Sequence, residues 1–338
     1  MGAGIFGLSI AYVCAQRGAR VLVIDRNGPG SGASGGFVGA LSPHTPERWD
    51  QKKAFQFESL IMAEVFWAGV DALSGLNSGY GRTGRLQPIM DQHTLRLAKE
   101  RIGQAAEFWQ DKAMWQVRPA SDFQDWSPAS PTGLLVHDTL SARINPRRAC
   151  TSLAAALKAL GGRIEKQGEA RTKIVWATGV NGLEQLCQDL GRPVGNGVKG
   201  QAVLLDFDAR EKPQIFVDGV HFVPHGNGTV AIGSTSERYF DDPSTTDEQL
   251  DDLLKRALAA MPCLAGAPVI ARWANVRPRS KSRAPILGAY PGRPGQYIAN
   301  GGFKIGFGMA PKIAEVMADL VLDQEDRIPD DFRVEANF

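Results

Sequence analysis

The hydrophobic pattern at the start of the chain predicts a helix followed by a buried strand. Apolar residues recur at helical spacing from Leu8 to Cys14, and Gly18 ends this run. Residues 21–24 are then Val, Leu, Val and Ile without interruption, which is typical of a strand buried on both faces. Asp25 closes the strand. Helix and strand in this order predict a βα-β unit at the N-terminus.

The same patterns predict further helices and strands along the chain. Helices are expected at 52–75, about 93–113, 146–160, 247–260 and 311–323. Strands are expected at 83–90, 133–144, 173–178, 201–206, 214–223 and 229–235. Asn145-Pro146 opens one helix with a proline in its first turn, and Thr245 or Thr246 is the expected cap of another. This mixture of elements predicts an α/β fold.

The composition is that of a folded globular protein. A length of 338 residues suggests two domains of about 100–200 residues each. Hydrophobic residues make up 43% and charged residues 22%, which excludes a disordered chain, a coiled coil and a collagen-like repeat. The net charge of +2 gives no indication of a nucleic-acid partner. We expect no membrane span and no secretory signal, and therefore a cytoplasmic protein.

The 38 glycines exceed the usual share of about 7%, so their positions are informative. Gly2, Gly4 and Gly7 form G-x-G-x-x-G at the start of the first helix, and Asp25 lies about 20 residues further on. These glycines allow a tight turn, close approach of a pyrophosphate to the backbone, and packing of helix on strand. The acid would bind the ribose hydroxyls of an adenosine. The pattern therefore predicts dinucleotide binding.

One part of this fingerprint is missing from the sequence. A strand of several apolar residues should precede the first glycine, but only Met1 does. Either the sequence starts late or is misassigned at its start, or the sheet is completed in another way.

A second glycine-rich segment favours FAD over NAD. Residues 28–36 are almost all small, and the apolar run Phe37–Leu41 follows them. A loop of small residues lets backbone N–H groups reach a second part of a long cofactor, whereas an NAD enzyme more often continues directly into the next βα unit. A plain surface loop is the alternative, but the apolar run that follows should be buried.

Five further segments carry short motifs. They are Val175–Gly179 (VWATG), Lys199–Gln201 (KGQ), His221–Thr235 (HFVP and AIGST), Trp273–Pro278 (WANVRP, followed by PILG from Pro285) and Asn300–Gly306 (NGGFKIG). In this order, and with the two N-terminal segments, they make most of the chain resemble the D-amino-acid oxidase superfamily of FAD-dependent amine oxidoreductases. The resemblance is nearest to its glycine oxidase and sarcosine oxidase branch.

The resemblance implies a fold and a domain plan. The expected fold is a Rossmann-like FAD-binding domain, with a doubly wound and mostly parallel sheet, interleaved with an α+β substrate domain built on an antiparallel sheet. The FAD-binding domain would take residues 1–45, 141–200 and 285–338. The substrate domain would take 46–140 and 201–284. FAD is expected to be non-covalent, since no cysteine or histidine stands clearly at a known attachment position.

The glycine pattern and the resemblance together predict the cofactor-binding residues. They are Gly2, Gly4, Ile5, Phe6, Gly7, Asp25, Arg26, Ser31, Ala33, Ser34, Gly35, Gly36, Phe37, Gly179, Gly302, Phe303, Lys304, Ile305, Gly306, Phe307 and Gly308. No histidine or cysteine spacing predicts a metal site.

The resemblance also implies the reaction, which is oxidative deamination of a small amino acid or secondary amine. A hydride would pass from the amine-bearing carbon to flavin N5, and the imine would hydrolyse to an oxoacid. Oxygen or another acceptor would then take the electrons. Arg277 stands where the family places an arginine that grips the substrate carboxylate, and Lys304 stands where the glycine oxidase branch has an arginine. A homo-oligomer is compatible with the sequence.

Two departures from the family pattern bear on the site. Phe222 stands where the glycine oxidase branch has an active-site tyrosine, so one hydroxyl contact is expected to be absent. Residues 161–176 leave hardly any room for a small antiparallel sheet whose first strand touches the adenosine in the family.

Two other functions remain open from the sequence. One is a flavin monooxygenase of the aromatic hydroxylase type, although that family has a Gly-Asp-Ala-type motif where this chain has Asn300–Lys304. The other is a non-catalytic or inactive dinucleotide-binding protein. The missing first strand and the short 161–176 segment are the features that favour it.

Overall fold

The computed structural model describes residues 1–169 and 172–338, and it consists of helices packed on two kinds of sheet. The helices are α1 (Ile5–Gln16), α2 (Gln51–Ser74), α3 (Gln92–Trp109), α4 (Pro146–Ala159), α5 (Gly179–Leu190), α6 (Glu248–Ala260) and α7 (Gly306–Ala318). The strands are β1 (Leu22–Ile24), β2 (Ala40–Leu41), β3 (Arg85–Pro88), β4 (Trp115–Pro119), β5 (Leu134–Asp138), β6 (Ala142–Arg143), β7 (Arg163–Glu165), β8 (Ile174–Trp176), β9 (Gly195–Asp206), β10 (Gln214–Val217), β11 (Val220–His225), β12 (Thr229–Gly233), β13 (Val269–Ser280), β14 (Ile286–Ala289) and β15 (Gln296–Asn300).

The largest sheet has the strand order β13-β9-β12-β11-β10-β3-β5-β4. Its neighbours are antiparallel except for β10 and β3, which run parallel. The sequence patterns did not predict β4 or β13. In β13 the strand signal is interrupted by Pro278, which the fold tolerates because β13 is an edge strand and one of its two rows of N–H groups has no neighbour.

Short parallel strand pairs form the opposite layer. Strand β1 pairs in parallel with β7, and β8 pairs in parallel with β15, whose other neighbour is the antiparallel β14. Residues 163–165 thus form a parallel strand where the family would begin a small antiparallel sheet. The parallel pairs and the large antiparallel sheet confirm the expected fold class.

The backbone of Met1 and Gly2 runs between these two parallel pairs. The amide of Gly2 donates to the carbonyl of Ile24 at 2.9 Å, and the amide of Ala177 donates to the carbonyl of Met1 at 2.9 Å. The amino group of Met1 donates to the carbonyl of Val175 at 2.8 Å. These two residues therefore link β1 and β8 by hydrogen bonds, in the place where the fingerprint expects the first strand.

The two largest of four hydrophobic clusters in the described residues hold the layers together. In the first, α1, α2, α4 and α7 pack around fully buried residues such as Leu8, Trp67 and Leu153. The second lies between the large sheet and α6, around Phe222 and Leu250. The helix α2, expected in the substrate domain, packs on α4 and α7, expected in the cofactor domain. The domain boundaries stay a prediction.

Three expected elements differ from the structure for local reasons. The strand expected at 214–223 is a hairpin, because Asp218 and Gly219 have φ of 50° and 75° and form the kind of two-residue turn that joins antiparallel strands. The N-cap of α6 is Asp247, which accepts from the amide of Gln249, and not Thr245 or Thr246. The last helix begins at Gly306, five residues earlier than expected, because its glycines had the pattern of a loop.

No helix in the described parts of the chain is long and apolar enough to cross a membrane.

Candidate functional site

A cavity of about 1020 Å³ lies between the N-terminal turn, the loop after β1, strand β13 and the start of α7. This volume is at the upper end of the range of about 300–1,000 Å³ that is usual for small-molecule sites, as a dinucleotide would require. Most of the residues predicted from the sequence line it. They are Gly2, Gly4, Ile5, Phe6, Asp25, Arg26, Ser31, Ala33, Ser34, Gly36, Phe37, Gly179, Arg277, Gly302, Phe303, Lys304, Gly306 and Phe307.

Four predicted cofactor residues lie behind this lining. They are Gly7, Gly35, Ile305 and Gly308. A Cβ atom on Gly7 would lie 2.0 Å from the carbonyl oxygen of Gly2, and one on Gly35 would lie 2.3 Å from that of Gly30. Ile305 and Gly308 pack against the first core. These residues shape the backbone of the cavity wall.

The glycine turn brings the N-terminus of α1 to the cavity. Gly2 has φ +92°, and a Cβ there would lie 2.3 Å from the carbonyl oxygen of Ala177, so only glycine fits. A Cβ on Gly4 would meet only the Ser34 hydroxyl, at 3.2 Å, and otherwise point into open space. The amide of Ile5 donates to the Ser34 hydroxyl at 3.0 Å. Because free amides and the helix dipole favour negative charge, this end of α1 suits a pyrophosphate.

Asp25 lines the cavity and also orders the turn that follows β1. One carboxylate oxygen accepts from the amide of Ala3 at 2.7 Å. The other accepts from the amides of Asn27 and Gly28 at 2.9 and 3.1 Å. The oxygen that accepts only from Ala3 has a second lone pair, so ribose binding is compatible with these bonds. Lys166 also lines the cavity, and the sequence had not singled it out.

The loop after β1 is held in place by residues of the large sheet. The ring of Trp273 packs closely on Gly36, because a Cβ atom on this glycine would lie 3.2 Å from the ring. The carbonyl of Phe37 accepts from Nε2 of His225 at 2.8 Å. Burial lowers the pKa of His225 to about 4, so its ring is neutral at ordinary pH. The large sheet thus supports the cofactor loop.

Arg277 lies on β13 and is almost fully buried in the cavity wall. Its Nη1 donates to the Ser234 hydroxyl at 2.7 Å, and its Nη2 donates to the carbonyl of Thr235 at 2.7 Å. Its Nε is buried and has no hydrogen-bond partner among the described residues. Burial lowers the pKa of Arg277 to about 10, against the opposite influence of Glu237, and the guanidinium remains charged at neutral pH.

A polar network stands behind this arginine, with Lys199, Gln201 and Glu237 buried and Asp247 exposed. Nζ of Lys199 lies 3.7 Å from Glu237 and 3.1 Å from Asp247. The side-chain amide of Gln201 donates to the same two acids, at 3.1 and 2.7 Å. The KGQ segment of the sequence therefore supplies two members of this network, and its middle residue, Gly200, faces the guanidinium of Arg277.

The segment before α7 brings a second cation to the cavity. Phe303 has φ +40°, and its amide donates to the carbonyl of Pro278 at 3.1 Å, which ties the segment to β13. Its ring centroid lies 5.6 Å from Cζ of Arg277 and 5.8 Å from Nζ of Lys304. Lys304 is exposed to the cavity, and its pKa is lowered to about 8, first by desolvation and second by Arg277.

Phe222 was expected at the site, but its neighbour His221 faces the cavity instead. Phe222 is fully buried in the second core and does not line the cavity, whereas its neighbour His221 does. Side chains alternate between the two faces of a strand, so a shift of one residue exchanges core for cavity. Burial lowers the pKa of His221 to about 3, and the charges of Arg85 and Lys304 lower it further. Phe222 therefore lies outside the cavity lining, and the ring at the cavity is a neutral imidazole.

The sequence did not predict some other residues that line the cavity, because only the tertiary structure brings them there. Phe216, Ser234 and Trp273 line the cavity from three different strands or strand ends. Strand alternation could have separated His221 from Phe222, but no local pattern shows which face of a sheet a cofactor covers.

The residues present suit FAD by their chemistry. The α1 N-terminus suits a pyrophosphate, Asp25 suits a ribose, and the Gly302–Phe307 segment leaves backbone space beside an aromatic ring. A Cβ on Gly302 would lie 2.7 Å from the Phe6 ring, which requires a glycine there. No group of three or more His, Cys, Asp or Glu side chains in residues 1–169 and 172–338 is arranged to hold a metal ion.

Comparison with known proteins agrees with this picture. The family model described as FAD dependent oxidoreductase (DAO) matches residues 1–320. The glycine oxidase of Pseudomonas putida is 26% identical over 357 residues, which covers 96% of this chain and 94% of that protein. The bifunctional protein ThiO/ThiG of Trichormus variabilis is 25% identical over 96% of this chain, and the chain spans only 52% of that protein's length.

A solved structure shares the fold. The crystal structure of glycine oxidase from Geobacillus kaustophilus superposes with a TM-score of 0.84 at 19% identity, covering 98% of this chain and 96% of that one.

Proposed function

The chain belongs to the DAO family of FAD-dependent oxidoreductases, and we propose that it catalyses the oxidative deamination of a small amino acid or secondary amine. Its relatives include amino-acid and amine oxidases, so it is a flavoprotein enzyme that acts on amines. The substrate, the binding residues and the course of the reaction are the proposal.

One observation carries the proposal, and it is the position of Arg277. A charged guanidinium lies in the wall of the cavity, where its Nη1 and Nη2 donate to Ser234 and Thr235 and not to an acid. A cation that is partly desolvated in this way favours an anionic ligand. A carboxylate is the partner that a guanidinium binds best. The family resemblance assigned the same residue to a substrate carboxylate.

Oxidation of an amine by bound FAD requires little acid–base catalysis from protein side chains. The amine loses two electrons and two protons as a C=N bond forms, and water then converts this imine to an oxoacid and a smaller amine. Bound FAD supplies the two-electron acceptor. The chain's own contribution is to orient the amine-bearing carbon through Arg277 and to limit water with the rings of Phe216 and Phe303.

His221 gives the cavity a neutral hydrogen-bond partner. A neutral imidazole can accept from a substrate amine through one nitrogen. Its lowered pKa of about 3 makes it a weak base, so its role is to orient the amine.

The test is a purified preparation reconstituted with FAD and mixed, without oxygen, with a panel of amines. Glycine, sarcosine, proline and D-amino acids are the candidates. Reduction bleaches the flavin absorbance, and the oxoacid is then measured. Bleaching by at least one amine supports the proposal. A preparation that binds FAD but is bleached by no amine, or one that binds no flavin, contradicts it. Re-oxidation with oxygen and, separately, with a quinone identifies the acceptor.

A further inference from the structure

The cofactor loop, residues 28–36 after β1, has little rigidity of its own. Five of its nine residues are glycine, and the others are a proline, an alanine and two serines. Glycine has the greatest backbone freedom to lose, so such a loop keeps one shape only where its surroundings hold it. Five of the loop residues line the cavity, namely Ser31, Gly32, Ala33, Ser34 and Gly36. The shape of the loop therefore decides how well the cavity fits the cofactor.

Arg147 of α4 holds this loop from outside the cavity. Its Nε donates to the carbonyl of Gly35 at 2.8 Å. Its Cζ lies 4.5 Å from the centroid of the Phe37 ring, so the guanidinium covers this ring in a cation–π contact. Arg147 does not itself line the cavity, whereas Phe37 does. The arginine therefore contacts both the end of the loop and the aromatic residue that follows it.

The place of Arg147 in α4 is not explained by the stability of that helix. Arg147 and Arg148 lie in the first turn, which contains no acidic side chain. The N-terminal end of a helix carries a partial positive charge, so cations there are unfavourable to the helix. In the described parts of the chain, the hydrogen-bonding and aromatic contacts of the Arg147 side chain are those with Gly35 and Phe37. What the arginine stabilises is the loop.

Two residues of the large sheet hold the same segment from another direction. Trp273 packs on Gly36, and His225 donates to the carbonyl of Phe37. His225 is buried and Trp273 is half-buried, so replacing either one also disturbs the packing of the sheet. Arg147 is exposed, and its removal leaves the packing of both layers in place. It is therefore the contact through which the loop can be tested by itself.

We propose that Arg147 is a positioning residue for FAD, which keeps the cofactor loop in its binding shape before the cofactor arrives. Through Gly35 and Phe37 it restricts the loop in the free protein. FAD then does not have to order the loop, and a ligand that orders less of the protein binds more tightly. This inference concerns the cofactor and holds whichever amine is oxidised.

Arg147→Met tests the proposal, with Arg148→Met as the matched control. Both are exposed arginines in the first turn of α4, but the contacts with the loop belong to Arg147. Each purified protein is stripped of FAD. Titration by flavin fluorescence gives the Kd for FAD, and thermal unfolding gives the Tm without FAD. Hydrogen exchange, followed by mass spectrometry, reports the order of residues 28–37 in the free protein.

We expect Arg147→Met to raise the Kd for FAD about tenfold and to speed exchange in residues 28–37 of the free protein. Its Tm without FAD should stay within about 2 °C of that of the natural chain, because an exposed side chain is removed. Arg148→Met should keep the natural Kd and exchange rate. Arg147→Lys keeps a cation over the Phe37 ring but loses the Nε donor, so its Kd should lie between those of the natural chain and Arg147→Met.

An unchanged Kd in Arg147→Met would overturn the proposal. So would an equal rise in Arg148→Met, which would assign the effect to a general attraction between positive charge and the anionic cofactor. A rise in Kd without faster exchange in residues 28–37, or with a Tm lowered by several degrees, would also overturn it. If Arg147→Met does not fold, Arg147→Gln replaces it. If the natural chain does not stay folded without FAD, the rate of FAD release from the loaded proteins replaces the titration.

Discussion

A Cβ atom on Gly200 would lie 1.8 Å from Nη2 of Arg277, and 2.3 Å from its Cζ. Gly200 is on β9 and Arg277 is on the neighbouring edge strand β13, where Arg277 pairs with Val198 and Asn275 pairs with Gly200. The guanidinium therefore lies directly over the glycine backbone. This contact explains why a glycine stands between Lys199 and Gln201, whose side chains both reach the acids behind Arg277.

The first prediction is that Gly200→Ala displaces Arg277. The new methyl group cannot coexist with the guanidinium, so the arginine must leave Ser234 and Thr235. Because small misplacements of a positioning group are costly, kcat/KM for a carboxylate amine should fall by roughly 10- to 100-fold. Steady-state kinetics and the flavin content of the purified variant are the measurements.

Gly103→Ala is the matched control for a glycine replacement. Gly103 lies within α3, and a Cβ there meets nothing within 4 Å. This variant should keep its kinetics and gain about 0.4–1 kcal/mol of stability. If Gly200→Ala retains full kcat/KM, the close contact has no bearing on catalysis.

The two glycines Gly4 and Gly7 should respond differently to alanine. Gly7→Ala places a methyl 2.0 Å from the carbonyl oxygen of Gly2, so it should destabilise the apoprotein by about 1–3 kcal/mol and lower its Tm by several degrees. Gly4→Ala points into the cavity, so it should leave the Tm of the apoprotein nearly unchanged and raise the Kd for FAD at least tenfold. Thermal unfolding without FAD and fluorescence titration with FAD measure the two effects. Equal loss of Tm in both variants would contradict the distinction.

Arg277→Lys should weaken substrate binding while the flavin stays bound. Lysine keeps the positive charge opposite Glu237, so the buried acid is not left alone, but it lacks the planar fork of donors. A lost charged hydrogen bond costs about 1.5–3 kcal/mol, which corresponds to a rise in KM of roughly 10- to 150-fold. Arg272→Lys is a suitable control, because Arg272 lies on the same strand outside the cavity lining. An unchanged KM would remove Arg277 as the carboxylate anchor.

The affinity of the cavity for a carboxylate ligand should depend on pH through Lys304. In the free protein the pKa of Lys304 is about 8, and a bound carboxylate raises it. The contribution of Lys304 to affinity is therefore fully present below pH 8 and is lost as the pH rises through the higher pKa of the complex. The pKa of His221, near 3, and that of Arg277, near 10, lie on either side of this range, and Arg279 is a further cation beside Phe303.

The measurement is the dissociation constant of acetate, a simple carboxylate, for the FAD-loaded protein at several pH values. We expect the affinity to fall well above pH 8. An affinity that is constant across this range would show that Lys304 does not contribute to carboxylate binding.

Local sequence patterns were sufficient for the cofactor half of the site. The glycines at positions 2, 4 and 7, the helix behind them and Asp25 are adjacent along the chain, so their spacing alone predicted the turn at the cavity. The strand β13 was harder to predict, because Pro278 breaks its pattern and only its place at the sheet edge makes that proline acceptable.

The substrate half depended on relations between distant segments. Whether His221 or Phe222 faces the cavity is set by the register of β11 in its sheet, and a shift of one residue reverses it. Lys199, Glu237 and Asp247 meet only because strand β9, the loop after β12 and the start of α6 converge. No spacing in the sequence predicts that these three charged side chains lie close together.

Residues that are neighbours in the chain were enough to predict the α/β fold class and the dinucleotide turn, whereas the role of Arg277 came from the family resemblance. Which charges have partners could be read from the folded structure alone. It pairs Lys199 with Glu237 and Asp247 behind Arg277 and leaves Lys304 facing the cavity beyond Phe303. Electrostatic energies depend on distance and burial in space, and the order of residues along a chain specifies neither.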